Sequence, residues 1–166
     1  MALEAEIPNT GDFKRSYVGP TPVVVARAGD GSINVFENRC AHRGAEFCRH
    51  GQGNATEFVC PYHQWSYDLK GNLQGVPFKR GVNRQGGMPK DFRNEDHGLL
   101  KLHVTTRNGV IFASYASDME PLEEYLTPEI LKDFDVVFNG KRLKVLGYYK
   151  NELPCNWKMY HENLKD

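Results

Sequence analysis

The pattern of apolar and polar positions predicts that the chain begins as a small antiparallel β-domain. Three consecutive valines, Val23 to Val25, predict a buried strand. Asp30-Gly31 is a turn signal after that strand, and residues 65–69 alternate apolar and polar side chains with the period of a half-buried strand. The strands predicted in this way cover residues 3–8, 22–28, 32–37, 58–59, 65–69, 73–76, 99–105 and 110–114.

Two other regions show a different pattern. Residues 77–98 lack periodicity and contain several glycines and basic side chains, which indicates a long surface loop. Beyond the last predicted strand, apolar residues recur at helical spacing, and Pro128 is typical of the first turn of a second helix. Asn139-Gly140 then predicts a turn into a further strand over 143–149.

Two Cys/His pairs carry the strongest chemical signal in the chain. Cys40-Ala-His42 and Cys60-Pro-Tyr-His63 are separated by seventeen residues, and each pair is compact enough to lie on one loop. Thiolates and neutral imidazoles bind iron, zinc or copper. This ligand set admits either a closed tetrahedral zinc site or a 2Fe-2S cluster. Structural zinc fingers usually group like ligands, whereas each pair here mixes one Cys with one His, so the spacing favours the cluster.

The composition mainly excludes other classes of protein. The 166 residues include 21 basic and 21 acidic side chains, and this balance argues against nucleic-acid binding. No apolar run approaches the roughly 18 residues of a membrane span, and no signal peptide is apparent. Cys48 and Cys155 remain outside the two pairs, and as free thiols they indicate a reducing cytoplasm. A disulfide between them is an open alternative.

Around the Cys/His pairs the chain resembles the Rieske iron–sulfur family, through the motifs Cys40-Ala-His42-Arg43-Gly44 and Cys60-Pro61-Tyr62-His63-Gln64-Trp65. The resemblance implies a mainly β, antiparallel Rieske-type domain. It also implies that Cys40 and Cys60 bind one iron of a 2Fe-2S cluster, while His42 and His63 bind the other. Neighbouring side chains are expected to tune the cluster by hydrogen bonding, and the candidates are Arg43, Gln64, Trp65 and Tyr67.

An extra disulfide distinguishes the branches of that family. High-potential respiratory members carry it between the two cluster loops, whereas this chain has Ala45 and Tyr62 at those positions. The loops are therefore similar to the oxygenase type, which implies a midpoint potential toward the lower end of the Rieske range, roughly −150 mV. His97 and His103 are expected to be surface or structural histidines, because neither has a Cys or carboxylate at ligand spacing.

The last residues resemble the start of the catalytic domain in Rieske oxygenase large subunits. This resemblance implies that Asp166 is the aspartate that bridges a Rieske histidine of one subunit to the mononuclear Fe(II) of its neighbour. His161 is expected on a helix face rather than on iron. The 2-His-1-carboxylate ligands of that iron are missing from the sequence. We therefore expect a fragment, with a Rieske domain over 1–116 and a linker plus the truncated α+β start of the catalytic domain over 117–166.

The implied function is electron relay in an aromatic-ring-hydroxylating oxygenase, an oxidoreductase of which this fragment alone is not catalytic. A reductase or ferredoxin is expected as the electron donor, and a homo-oligomer, in the form of a trimer, as the assembly. The complete enzyme is expected to act on an aromatic substrate of the terephthalate, anthranilate or salicylate kind, and a small β subunit is an open question. Two alternatives remain: a stand-alone Rieske ferredoxin-like carrier, and a structural zinc-binding module without a redox role.

Overall fold

The computed structural model describes residues 1–164, which form two antiparallel sheets followed by helices. The strands are β1 (Ala2–Leu3), β2 (Asp12–Val18), β3 (Thr21–Arg27), β4 (Ile33–Glu37), β5 (Gln52–Asn54), β6 (Phe58–Val59), β7 (Ser66–Tyr67), β8 (Leu73–Gly75), β9 (Lys101–Arg107) and β10 (Val110–Ser114). The α-helices are α1 (Leu122–Tyr125), α2 (Thr127–Val137) and α3 (Trp157–Asn163), and short 3-10 helices occupy Glu4–Glu6 and Asn94–His97.

The larger sheet contains seven strands in the order β1-β10-β9-β4-β3-β2-β5, and the smaller one contains β6-β7-β8. Each neighbouring pair in both sheets is antiparallel. The mainly β, antiparallel fold predicted from the sequence is therefore confirmed. The motif cysteines lie after β4 and β6, so the two sheets meet where the Cys/His loops begin.

Strand β3 divides the apolar core into two halves. Val24 and Ala26 face one half, which also contains both cysteines of the Cys/His pairs. Val23 and Val25 face the other half, which contains the apolar residues of β1, β9 and β10. None of these four side chains is exposed, because successive residues of a strand point to opposite sheet faces and both faces are covered here. The predicted buried strand is confirmed, and its residues Val24 and Ala26 belong to the same core half as Cys40.

The prediction fails for two strands near the ends of the chain. Residues 3–8 form little strand, because the chain leaves β1 at Leu3 and turns through the 3-10 helix Glu4–Glu6. Residues 143–149 form no regular secondary structure, and Leu146 is 92% exposed there. No strand lies beside this segment among residues 1–164 to complete a ladder. Its apolar residues therefore do not signal a strand of this sheet.

The segment after α2 is tied to the β-domain through Glu6. The Glu6 carboxylate accepts a hydrogen bond of 2.6 Å from the Tyr148 hydroxyl and another from the ammonium of Lys14. Burial opposes the ionisation of Glu6, but these hydrogen bonds outweigh it and hold the pKa of the carboxyl below its ordinary value. A charge-assisted network thus joins this segment to β2.

The helical region predicted after the sheet is confirmed. Helix α2 docks on the turn between β9 and β10, where Arg107 donates to Asp135 at 2.6 Å and Asn108 donates to the same carboxylate at 2.8 Å. Within residues 1–164, none of the helices has the length and apolar character needed to cross a membrane. Cys48 is buried and Cys155 is exposed, and both are free thiols, so the structure contains no disulfide between them.

Candidate metal centre

The two Cys/His loops share one backbone framework. In each loop the cysteine N–H donates to the carbonyl five residues later, and the residue four positions later donates its N–H back to the cysteine carbonyl, at 2.8 to 2.9 Å. That fourth residue has a left-handed backbone in both loops, with φ of +73° at Gly44 and +54° at Gln64. The loops therefore present Cys40 and Cys60 in equivalent ways, although their Cys-to-His spacings differ by one residue.

The framework separates the sulfur donors from the nitrogen donors. Cys40 and Cys60 are 3% and 1% exposed and belong to the apolar core. His42 is half-buried and His63 is exposed, and their ring centroids are 4.6 Å apart with the ring planes nearly perpendicular. The site therefore consists of a buried thiol pair with an imidazole pair nearer the surface. A binuclear cluster with two sulfur ligands inside and two nitrogen ligands outside fits this order.

The protonation tendencies of the donors fit a metal site as well. Burial raises the pKa of the Cys40 thiol, and the neighbouring Cys60 adds to this effect, while the Tyr67 hydroxyl opposes it. A bound metal cation would reverse this effect and stabilise the thiolate. Desolvation, with His63 and Arg43 nearby, lowers the pKa of His42, and the neutral imidazole is the form that binds metals.

The geometry does not fit the zinc alternative. A closed tetrahedral site needs its four ligands within about 2.3 Å of one ion. Here the two cysteine side chains are buried in the core, whereas the two imidazole rings lie nearer the surface, with their centroids 4.6 Å apart. Two metal ions, each bound by one like pair of donors, fit the arrangement better than one.

Three of the four side chains predicted to tune the site contact its donors. The Tyr67 hydroxyl accepts from the N–H of Ala41 at 3.1 Å and shares a hydrogen bond of 3.2 Å with Sγ of Cys40. The Trp65 indole stacks on the His42 ring at 5.0 Å, with 16° between the planes. The third contact places a guanidinium nitrogen of Arg43 2.7 Å from Nε2 of His63.

The fourth candidate, Gln64, has a different role from the one predicted. Its side chain is exposed, and no hydrogen bond joins it to a donor among residues 1–164. Its contribution is the left-handed backbone that closes the second loop, a conformation that glycine supplies in the first loop.

One residue that positions the first Cys/His loop was not predicted from the sequence. Asn38 is fully buried at the end of β4, and its side-chain amide donates to the carbonyl of Cys48 at 2.7 Å. Its Oδ1 accepts the N–H groups of Cys48 and Phe47 at 2.9 and 3.3 Å. Asn38 therefore fastens both ends of the first Cys/His loop to each other. A polar residue at the end of an apolar strand was the available signal, but it gives no indication of these partners.

The remaining candidate residues lie apart from the four donors. His97 stacks on Phe92 at 4.3 Å and contacts Trp65, in agreement with a structural role, and His103 is exposed on β9. His161 is exposed on α3, as expected. Asp166 lies outside the described residues.

Comparison with known proteins identifies the pattern of these loops. The Rieske [2Fe-2S] domain family matches residues 1–86. The chain is 59% identical to the large oxygenase component of salicylate 5-hydroxylase from Ralstonia sp, over 100% of this chain and 40% of that protein. It is 50% identical to the large subunit of anthranilate 1,2-dioxygenase from Burkholderia cepacia, over 100% of this chain and 39% of that protein.

Solved structures agree with this result. The structure of naphthalene 1,2-dioxygenase from Rhodococcus sp. bound to indole matches 88% of this chain and 32% of its own chain, with a TM-score of 0.78 and 32% sequence identity. The chain thus spans about two fifths of the length of the curated relatives above.

Proposed function

The chain belongs to the Rieske [2Fe-2S] domain family, and from this premise we propose that Cys40, Cys60, His42 and His63 hold its 2Fe-2S cluster. Cys40 and Cys60 would hold the inner iron as thiolates, and His42 and His63 would hold the outer iron through an imidazole nitrogen. The observation that carries the proposal is the buried thiol pair beneath two perpendicular imidazoles that reach toward the surface.

When bound, the cluster supplies one-electron chemistry. The residues of the chain set the conditions for that chemistry. Tyr67 donates its hydroxyl proton toward Sγ of Cys40 and so stabilises negative charge on that sulfur. Trp65 is 5% exposed, packs against His42 and keeps water from one side of the site. His63 is exposed, so one imidazole edge is open to a redox partner.

We propose that this electron relay serves a ring-hydroxylating oxygenase. Relatives that align with the whole chain are named as oxygenase large components, which supports an oxygenase rather than a stand-alone carrier. In the complete enzyme a mononuclear Fe(II) would supply the O2 chemistry, and Asp166 would connect that iron site to a Rieske histidine of the adjacent subunit. Residues 1–164 contain no ligand set for that iron.

The partners and the substrate follow from the same proposal. A reductase or ferredoxin supplies the electrons, and the large subunits assemble as a homo-oligomer, in the form of a trimer, so that the cluster of one subunit lies near the iron of the next. The substrate is an aromatic acid, since the two curated relatives reported above are named for salicylate and anthranilate. We place the domain boundary at residue 116, after β10.

Chemical analysis with two matched variants tests the ligand set. Protein purified without oxygen is expected to contain two irons and two acid-labile sulfides per chain. Cys60→Ser is expected to lose the colour and the sulfide. Cys48→Ser changes another buried cysteine of the same core half and is expected to keep both. One zinc per chain, or equal loss in both variants, would refute the assignment.

A further inference from the structure

We propose that residues 78–90, here called the basic loop, form the docking surface for an acidic electron-donor protein. The proposal rests on the electron-transfer function proposed above and adds to it the surface and the charge of the partner. The loop lies between β8 and β9, outside the two Cys/His loops.

The charge of the basic loop differs sharply from that of the whole chain. The chain has a net charge of zero, whereas the loop contains Lys79, Arg80, Arg84 and Lys90 and no acidic residue. All four side chains are exposed. Lys79 donates to Asn94 at 2.7 Å, but the other three have neither an ion-pair nor a hydrogen-bond partner within residues 1–164. Their charges are therefore not neutralised by the chain itself.

Exposed apolar side chains accompany these charges. Phe78 and Val82 are 73% and 61% exposed at the same loop. Aromatic side chains and arginines are enriched at the centres of protein interfaces. The combination suits a protein surface better than a small anion, because a small anion would bury neither apolar side chain.

The basic loop is preformed rather than loose. Hydrogen bonds connect Met88 to Lys79 at 3.0 Å and Val82 to Gln85 in both directions. Gly87 has a φ of +94°, and a Cβ there would overlap the backbone of Lys79, so only glycine allows this closure. Docking on such a loop needs little ordering of the chain, which favours rapid association.

The base of the basic loop lies close to a proposed cluster ligand. The ammonium of Lys79 is 5.2 Å from the Phe92 ring, and that ring is 6.0 Å from the ring of Trp65. Trp65 in turn stacks on His42 at 5.0 Å. Two aromatic side chains, Phe92 and Trp65, therefore connect Lys79 at the base of the loop to His42. This proximity favours an electron donor as the occupant.

A second copy of the chain is the less favoured occupant. Acidic side chains are frequent in the region of α1 and α2, but Arg107 already pairs with two of them, Glu123 at 3.2 Å and Asp135 at 2.6 Å. The acidic region is thus partly neutralised within its own subunit. The basic loop retains its unpaired charges for an external partner.

Stopped-flow reduction of the intact, cluster-loaded protein tests the docking surface. The probe is a reduced plant-type [2Fe-2S] ferredoxin, which is acidic and, at about −400 mV, donates one electron downhill to the Rieske cluster. The second-order rate constant is expected to fall steeply from about 0.01 M to about 1 M salt, as the Debye length shrinks from about 30 Å to about 3 Å. R80E/R84E is expected to lower the low-salt rate by about tenfold or more.

The control variant K141E/K144E makes the same change in charge on two exposed lysines of another surface. It is expected to alter the low-salt rate by no more than about twofold. Reduction by dithionite and the spectrum of the reduced cluster are expected to be the same in all variants. A loss shared equally by both double variants, or a salt-independent rate, would overturn the docking surface.

Two further outcomes separate this proposal from others. A protein that dithionite reduces normally, but whose rate with ferredoxin is unaffected by R80E/R84E, would overturn the docking surface and leave the proposed function intact. If light scattering instead shows self-association at low salt that R80E/R84E abolishes, with an unchanged ferredoxin rate, the loop is a self-contact. Absence of a reducible cluster would refute the proposed function itself.

Discussion

Replacement of Asn38 by leucine is predicted to loosen the first Cys/His loop while leaving the volume of the core nearly unchanged. Asparagine and leucine have similar shapes, so N38L creates little cavity. It removes the side-chain amide that makes three hydrogen bonds to the backbone. These bonds are to the carbonyl of Cys48 at 2.7 Å, to the N–H of Cys48 at 2.9 Å and to the N–H of Phe47 at 3.3 Å. All three backbone groups are then buried without a partner.

The expected loss in the free energy of unfolding follows from the cost of burying backbone groups without a hydrogen-bond partner. Each buried donor or acceptor left without a partner destabilises a protein by about 1–3 kcal/mol. The N–H of Phe47 contributes least, because its bond is the longest and shares its acceptor. N38L is therefore expected to lower the free energy of unfolding by about 3–5 kcal/mol, a large part of the 5–15 kcal/mol typical of a domain.

Urea unfolding measures this loss, followed in parallel by circular dichroism and by the visible absorbance of the cluster. For an m-value of about 2 kcal/mol/M, the midpoint is expected to fall by about 2 M. The control is N34L on the same strand, where the Asn34 amide bonds only to Ser32 at an exposed turn. N34L is expected to change stability by less than about 1 kcal/mol. Equal midpoints for N38L and N34L would refute the role assigned to Asn38.

Three further predictions concern single side chains. Tyr67→Phe removes the hydrogen bond that favours the reduced cluster, so redox titration is expected to give a potential several tens of millivolts lower, and an unchanged potential would contradict this. Gly44→Ala places a side chain at φ of +73° in open space, so urea unfolding should show a loss of about 1 kcal/mol from backbone strain alone. The pKa of Glu6 is depressed in the folded state, so the ionised carboxylate stabilises the fold above its ordinary pKa, and this stabilisation is lost as the pH falls through the folded pKa. Glu6→Gln should therefore weaken the pH dependence of the free energy of unfolding below about pH 4.5, and an unaltered pH dependence would argue against this role.

The sequence predicted the buried parts of the fold well, because those parts have a clear apolar pattern. The three consecutive valines of β3 predict a buried strand, and the two mixed Cys/His pairs indicate a metal site from only a few residues each. Strand β2 was missed, because its residues Asp12–Val18 mix charged and apolar side chains and it is held by pairing with β3 and β5. Pairing between distant strands is a tertiary property that local patterns do not contain.

The same limit applies around the metal centre. The two Cys/His pairs were evident in the sequence, and the structure places both cysteines in one core half and the two imidazole rings 4.6 Å apart, but their assignment to a cluster remains a proposal. Contacts of Tyr67 and Trp65 with the donors were expected from short separations in the chain. The role of Asn38 depends on a partner ten residues away, and the proximity of the basic loop to Trp65 depends on Phe92 folding back against the core. Neither has a local signature.

The most direct test of the proposed mixed Cys/His cluster is a redox titration of the purified protein, monitored by electron paramagnetic resonance. A mixed Cys/His cluster is expected to give a paramagnetic signal that appears on one-electron reduction, with a midpoint potential toward the lower end of the Rieske range, roughly −150 mV. A midpoint near about −400 mV, as in all-cysteine plant-type ferredoxins, would contradict histidine ligation. Absence of a signal in dithionite would contradict the cluster altogether.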